Sequence, residues 1–373
     1  MDVFHPSRKA GKWRILTLGA RWDRSVVPVY EASARGRRIP LLKTLLTNYC
    51  QNRCTYCSFR AGRKCPRLSW EPRKLAEVTK HLWEEGRIQG LFLSSSIQHD
   101  PDYVMERQLE VLRLLREMGF TGYIHLRVMP GVSRHQIQEA ARLADRLGVN
   151  LEAPEEAMFM EICPDKGRFR DDILKRLAWI VDEARRARVE AREAGVNVGH
   201  ARAGVDTQLI VGATDDNDLQ HLKATERLYR RLGLRRVYYS GFEPIPHTPL
   251  EGRRPCPISR EHRLYQASFL LRDYGFSVEE LREIMDDEGF LPNVDPKLAF
   301  AKVHPDLFPI DLNTATYHEI LRIPHVGPVT ARKILKAREV TRIRSLADLE
   351  RVLGPTLAWR IRRYISLSDR RLL

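Results

Sequence analysis

From residue 41 onward, short apolar runs alternate with longer stretches in which apolar side chains recur every three or four positions. The runs at 41–47, 90–93, 123–128, 149–152, 207–211 and 236–239 predict strands. The periodic stretches at 70–86, 102–118, 133–147, 171–194 and 216–232 predict helices, with Ser133 as the N-cap of the third. Strand and helix alternating through six units predict parallel strands joined by crossover helices, in an open or closed barrel. Chemistry in such barrels sits at the C-terminal strand ends, on the loops leading into the helices. Pro244, Pro246, Pro249, Pro255 and Pro257 interrupt the pattern and end the barrel. Residues 260–300 read as helical, Pro305 and Pro309 mark a linker, and 311–373 read as four short helices. The expected divisions are an extension at 1–40, a barrel core at 41–250, a helical linker region at 251–310 and a small all-α domain at 311–373.

Composition narrows the function classes. With 43% apolar residues in 373, the chain can bury a core and is not globally disordered. No apolar run reaches membrane-spanning length and the start lacks an apolar signal segment, so a cytoplasmic protein without a membrane partner is expected. The net charge of +15 is placed unevenly, at +6 in residues 1–40 and +7 in 311–373, around a nearly neutral middle. Two basic ends imply an anionic partner, with nucleic acid ahead of simple solvation. Of the six cysteines, Cys50, Cys54, Cys57 and Cys65 fall within sixteen residues, whereas Cys163 and Cys256 are isolated. That distribution suits a reduced protein with a metal site better than a disulfide framework.

The cysteine segment TNYCQNRCTYCSFR follows the first strand with C-x3-C-x2-C spacing. Three thiolates from one loop converge on one centre and leave it a ligand short. A zinc knuckle completed by Cys65 or a histidine is the other reading of the same residues. Placed after strand one of a (βα)6 pattern, with Tyr56 just before the third cysteine, the motif resembles that of the radical S-adenosylmethionine superfamily. The resemblance implies a partial (βα)6 TIM-type barrel. It also implies that Cys50, Cys54 and Cys57 bind three irons of a [4Fe–4S] cluster whose open iron takes S-adenosylmethionine. Reductive cleavage of that cofactor, with electrons from an external donor, would yield a 5′-deoxyadenosyl radical. Further cofactor contacts are implied at Tyr56, at Ser94, Ser95 and Ser96 after the second strand, and at Asn150 and Glu152 on the fourth. Gln208 and Gly212 on the fifth strand and Tyr239 on the sixth, beside Tyr238, complete the set. The motifs assign no catalytic residue.

His125 and Arg127 alternate on the third strand and share a face. An inward Arg127 requires an acidic partner or an anionic substrate, with Glu152, Glu155 and Glu156 as possible partners, so His125, Arg127 and Glu155 are the substrate candidates. In the tail, Ile323-Pro324-His325-Val326-Gly327 joins two predicted helices, the second opening at Pro328. This is similar to a helix-hairpin-helix motif, in which free amides at the second helix's start face a phosphate. His325, Gly327, Thr330, Arg332 and Lys333 are the implied nucleic-acid contacts, and His325 stands where a glycine is usual. Residues 345–365, turning at Gly354, resemble a second, degenerate copy. Over residues 40–370 the chain resembles the branch of radical S-adenosylmethionine proteins with a C-terminal helix-hairpin-helix that is associated with DNA modification or repair. That branch implies DNA as partner and a uracil-DNA-glycosylase-like protein as a second one.

Overall fold

The computed structural model of the chain describes residues 29–34 and 37–367. Seven strands form one sheet in chain order: β1 (Val29–Ala34), β2 (Arg37–Leu45), β3 (Gly90–Ser94), β4 (Tyr123–Arg127), β5 (Arg146–Gly148), β6 (Gly204–Val211) and β7 (Arg236–Gly241). β1 pairs antiparallel with β2, and β2 to β7 run parallel, each beside its successor. The six parallel strands are the half-barrel the patterning predicts. β1 was not foreseen, because it lies in the extension at 1–40, whose composition reads as a basic arm.

Strand parity separates two faces. Leu42, Leu91, Leu93, Ile124, Leu126 and Leu147 point to the convex face and are almost completely buried. The helices supply the other half of this core through Leu75, Leu109, Leu112, Ile137, Ala141 and Ile180. The concave face is polar: His125, Arg127 and Asp206 lie on it, with Phe92 and Tyr238.

Some predicted boundaries moved. The expected helix at 133–147 stops at Leu143, and the next strand is Arg146–Gly148, wholly ahead of the expected 149–152. Asp145, fully buried, accepts the Ile124 amide at 2.8 Å and the Gly199 amide at 3.2 Å. A short carboxylate that captures backbone donors outside the helix ends it early. The expected helix at 171–194 begins with a π-helical turn, Phe169–Leu174, before the regular Lys175–Glu193.

The contacts divide the chain into two compact units, one of residues 1–216 and 227–256, the other of 217–226 and 257–373. In the second, helices Tyr317–Arg322, Pro328–Val340, Leu346–Leu353 and Pro355–Ile361 are the four the tail predicts. They enclose Leu312, Ile320, Val326, Ala331, Ile334 and Leu349. β8 (Ile310–Asp311) and β9 (Ile365–Ser366) pair parallel and tie the ends of this bundle together. No helix among the described residues is long and apolar enough to cross a membrane.

Candidate active site on the cysteine loop and the concave face

β2 delivers the chain to Thr47 and Asn48, which fix the cysteine loop. Asn48, fully buried, donates to the Pro66 carbonyl at 2.9 Å and accepts the Leu68 amide at 2.7 Å, so the loop's two ends are stitched together. Arg67 donates to the carbonyls of Asn48, Phe59 and Arg60. The serine segment wraps the same strand end: the Leu46 amide bonds the Ser94 carbonyl at 2.8 Å and the Ser96 amide the Thr47 carbonyl at 3.0 Å. Gln51 then bonds the Ile97 carbonyl at 3.0 Å. Ser94, Ser95 and Ser96 are thus brought beside the cysteine loop, half-buried.

Across the loop stands the segment after helix Glu156–Ile162. The Thr55 amide bonds the Ile162 carbonyl at 2.9 Å, and Asp165 takes both the Arg53 amide at 3.1 Å and its guanidinium at 2.8 Å. Cys163 and Lys166 come in with this segment. Neither was singled out from the sequence, where Cys163 is an isolated cysteine 106 residues past Cys57. The Cys163 thiol, hydrogen-bonded to Cys54, holds the latter below the usual thiol range against the effect of burial. Burial, then the proximity of Cys54 and Cys50, pushes the Cys57 thiol up to about 12. Lys166 forms a buried ion pair with Glu152 Oε1. Burial opposes its charge, but Glu152 and the neighbouring thiols raise it above the ordinary lysine value. Tyr56 lies among the same groups, its phenol raised by burial and then by the Glu152 charge.

The residues fit an iron–sulfur cluster and its nucleoside cofactor on two counts. First, three thiols on one loop, one of them unfavourable as a free buried thiolate, are a donor set that a bound cation stabilises. Among the described residues no three His, Cys, Asp or Glu side chains converge as ligands of a single metal ion. Second, two acceptors are orphaned. Asn150 Oδ1 and Glu152 Oε2 are buried without a hydrogen-bond partner. Such atoms cost free energy unless a ligand donates to them. Glu152 also sits at φ +65°, a strained conformation for a non-glycine residue, held by its amide to the Gln208 carbonyl at 2.9 Å and its carbonyl from the Ile210 amide at 2.7 Å.

The other expected cofactor contacts are spread differently. Gly212, at φ +83°, needs the freedom of glycine; its amide is taken by Asp216 and its carbonyl by Arg253 at 2.9 Å. Gln208 stands on β6 opposite Tyr238 of β7. Tyr238 is on the concave face, where its hydroxyl accepts from Arg146 at 3.2 Å. Tyr239 therefore points to the convex face, where it is buried opposite Leu209.

Of the substrate candidates, His125 and Arg127 share the concave face and Glu155 does not join them. Glu155 is exposed at the start of helix Glu156–Ile162, and Glu156 pairs with Arg170 at 3.1 Å. The partner of Arg127 is Asp206, whose Oδ1 it pairs with. His125 Nε2 lies 2.7 Å from Asp206 Oδ2, at ion-pair distance but without hydrogen-bond alignment. Burial drives His125 down to about 4, so it is neutral near pH 7. Asp206 is held down to about 2: burial opposes its charge, and Arg127 and His125 outweigh it. Gly148 makes room for this group, because a Cβ there would lie 2.3 Å from Asp206 Oδ1 and 2.6 Å from Arg127 Nη1.

In the second unit, Gly327 caps helix Pro328–Val340, and among the described residues no side-chain cap bonds its first amides. His325 is exposed at φ +67°, so the chain takes the left-handed turn with a histidine where glycine would be unstrained. Arg332 and Lys333 are exposed and Thr330 half-buried on the first turns of that helix, while Ala331 and Ile334 face inward. Lys297 donates to the Val326 carbonyl from beneath the hairpin.

Residues 44–220 match the Radical SAM superfamily, and residues 308–364 match the helix-hairpin-helix motif. A curated relative, the 7,8-didemethyl-8-hydroxy-5-deazariboflavin synthase of Methanosarcina acetivorans, is 25% identical over 218 residues, 55% of this chain and 60% of that protein. The chain thus spans about three-fifths of that relative's length. Among solved structures, the FeFe-hydrogenase maturase HydG from Carboxydothermus hydrogenoformans is similar at a TM-score of 0.46 and 16% identity, over 62% of this chain and 50% of that one. Methylornithine synthase (PylB) is similar at a TM-score of 0.45 and 17% identity, over 72% and 70%.

Proposed function

We propose that this chain, which carries a radical SAM domain and a C-terminal helix-hairpin-helix motif, is an S-adenosylmethionine-dependent radical enzyme acting on DNA or a nucleotide. The observation that carries the cofactor half is the pair of orphaned buried acceptors, Asn150 Oδ1 and Glu152 Oε2, the second on a residue whose charge acts on Cys54. Cys50, Cys54 and Cys57 are the residues that hold a [4Fe–4S] cluster. When bound, that cluster supplies the electron that cleaves S-adenosylmethionine to methionine and a 5′-deoxyadenosyl radical. The chain's own residues bind and orient. Ser94 to Ser96 offer carbonyls and hydroxyls to the cofactor's ammonium. Asn150 and Glu152 accept from ammonium or ribose hydroxyls, and Lys166 holds the Glu152 carboxylate in place.

The DNA half rests on the tail. Uncapped amides at the start of a 13-residue helix, flanked by exposed Arg332 and Lys333, suit a phosphate contact that positions a backbone without reading sequence. A uracil-DNA-glycosylase-like partner belongs to this reading through resemblance alone. A second reading, synthesis of a small molecule with the tail only as a tether, is favoured by one finding: the curated relative is named as a synthase of a deazariboflavin.

The test is 5′-deoxyadenosine release by the reconstituted, reduced full chain, with and without DNA oligonucleotides. Release stimulated by DNA is the expected result. Release indifferent to DNA supports the second reading, and no release under any condition overturns both.

A further inference from the structure

The concave face holds guanidinium groups around a single buried ion pair, Arg127 with Asp206, among the described residues. Among the described residues the carboxylate set against Arg127 is that of Asp206, fully buried. It faces two guanidiniums, Arg127 and Arg146, and both act on it electrostatically. His125 adds no charge near neutral pH. Glu152 is already paired with Lys166. A buried cation in excess of its counter-ions is costly, and a fold keeps one where an anion arrives to complete the set.

The geometry says where that anion sits. Arg127, 5% exposed, pairs with Asp206 through Nη1, and among the described residues it makes no other hydrogen bond. Its guanidinium stands between two aromatic rings, 5.6 Å from the Phe92 centroid and 5.8 Å from that of Tyr238. Arg146 gives Nη1 to the Tyr238 hydroxyl and Nη2 to the Ala203 carbonyl at 2.9 Å, leaving Nε buried without a partner. Asp206 thus fixes one edge of Arg127 and leaves the rest of a planar donor fork, the group suited to two oxygens of one oxyanion.

We infer that the concave face is an oxyanion site, in which Arg127, oriented by Asp206, binds a phosphate or carboxylate of the substrate between Phe92 and Tyr238. The inference rests on the reading of this face as the substrate side of a radical enzyme, and it names the substrate's chemistry. A nucleotide supplies a phosphate and a small organic acid a carboxylate, and both meet the same donors.

The test is direct binding to the full chain at fixed ionic strength, with inorganic phosphate, a deoxynucleoside monophosphate and benzoate as separate probes and chloride as reference. Saturable thermal stabilisation by at least one oxyanion is the expected result. Affinity should fall about tenfold or more in Arg127→Lys, which keeps the charge but loses the fork. If that variant fails to fold, the double variant R127Q/D206N removes the pair without leaving a lone buried charge. Preference for the monophosphate identifies the phosphate source and preference for benzoate the carboxylate source. The paired variant Arg332→Ala/Lys333→Ala separates the concave site from the tail, whose own phosphate contact it removes. No saturable stabilisation beyond chloride, or one that Arg127→Lys leaves intact and Arg332→Ala/Lys333→Ala abolishes, overturns the inference. Deoxyadenosine release does not enter this readout, so the anion site and the enzymatic reading fail independently.

Discussion

Replacing Gly148 by alanine tests how tightly the half-barrel is drawn around its buried charges. The new Cβ would stand 2.3 Å from the Asp206 carbonyl oxygen, 2.3 Å from its Oδ1 and 2.6 Å from Arg127 Nη1. Those distances are about 1 Å inside ordinary contact. The carbonyl belongs to the neighbouring strand, paired with Gly148 in register, and cannot rotate away. Either β5 and β6 separate or the Arg127–Asp206 pair opens. Overpacking alone costs about 1–3 kcal/mol. Opening the buried pair leaves an uncompensated charge and brings the cost to about 3–5 kcal/mol. For a domain of this size that corresponds to a fall in Tm of roughly 6–20 °C. The assay is thermal and urea denaturation, with hydrogen exchange of the β4–β6 amides to locate the loss. Gly252→Ala is the control, since its Cβ would meet nothing within 4 Å. A Gly148→Ala protein within about 1 kcal/mol of the control would refute the close approach of strand and ion pair.

Other outcomes follow from the same contacts. His125 is depressed from 6.5 to about 4, so the unfolded chain binds the proton first. Stability should therefore rise with pH between about 4 and 6.5, by up to about 3 kcal/mol, and H125N should flatten that slope in denaturation curves. Lys297 is depressed from 10.5 to about 7, chiefly by burial, so the second unit should gain stability between about pH 7 and 10, by at most about 4 kcal/mol. K297M should remove that dependence, read by hydrogen exchange of helix Pro328–Val340. Asn48→Ala orphans the Leu68 amide and the Pro66 carbonyl at a cost of about 2 kcal/mol. Its second effect is on the loop, read as fewer irons retained per chain on anaerobic reconstitution. Arg332→Ala with Lys333→Ala should weaken binding to DNA of any sequence and lower the log–log salt slope by about 2, as measured by fluorescence anisotropy across a salt series.

What could be read from the sequence divides by the distance between the residues involved. The cysteine loop and the hairpin at Gly327 are contiguous segments whose spacing carries their geometry. Five of the six parallel strands were legible because each contains a short apolar run; the other, Arg146–Gly148, lies ahead of the expected 149–152. Asp206 escaped notice as the partner of Arg127 because the two lie 79 residues apart and meet only when β4, β5 and β6 stand in register. Cys163 and Lys166 were missed for the same reason, since no local pattern marks them. Tyr238 and Tyr239 differ by one residue and therefore by a face, which parity decides only once register is known. The start of β5 depends on Asp145 capturing the amides of Ile124 and Gly199, a contact between segments that periodicity does not encode.

The measurement that bears most directly on the central claim is an electron paramagnetic resonance spectrum of the anaerobically reconstituted, reduced chain, taken with and without S-adenosylmethionine. The account predicts a [4Fe–4S]⁺ signal that changes shape when S-adenosylmethionine is added, and loses intensity in Cys50→Ala, Cys54→Ala and Cys57→Ala but not in Cys65→Ala. A cluster signal indifferent to S-adenosylmethionine, or a preparation that holds zinc and no cluster, would contradict it.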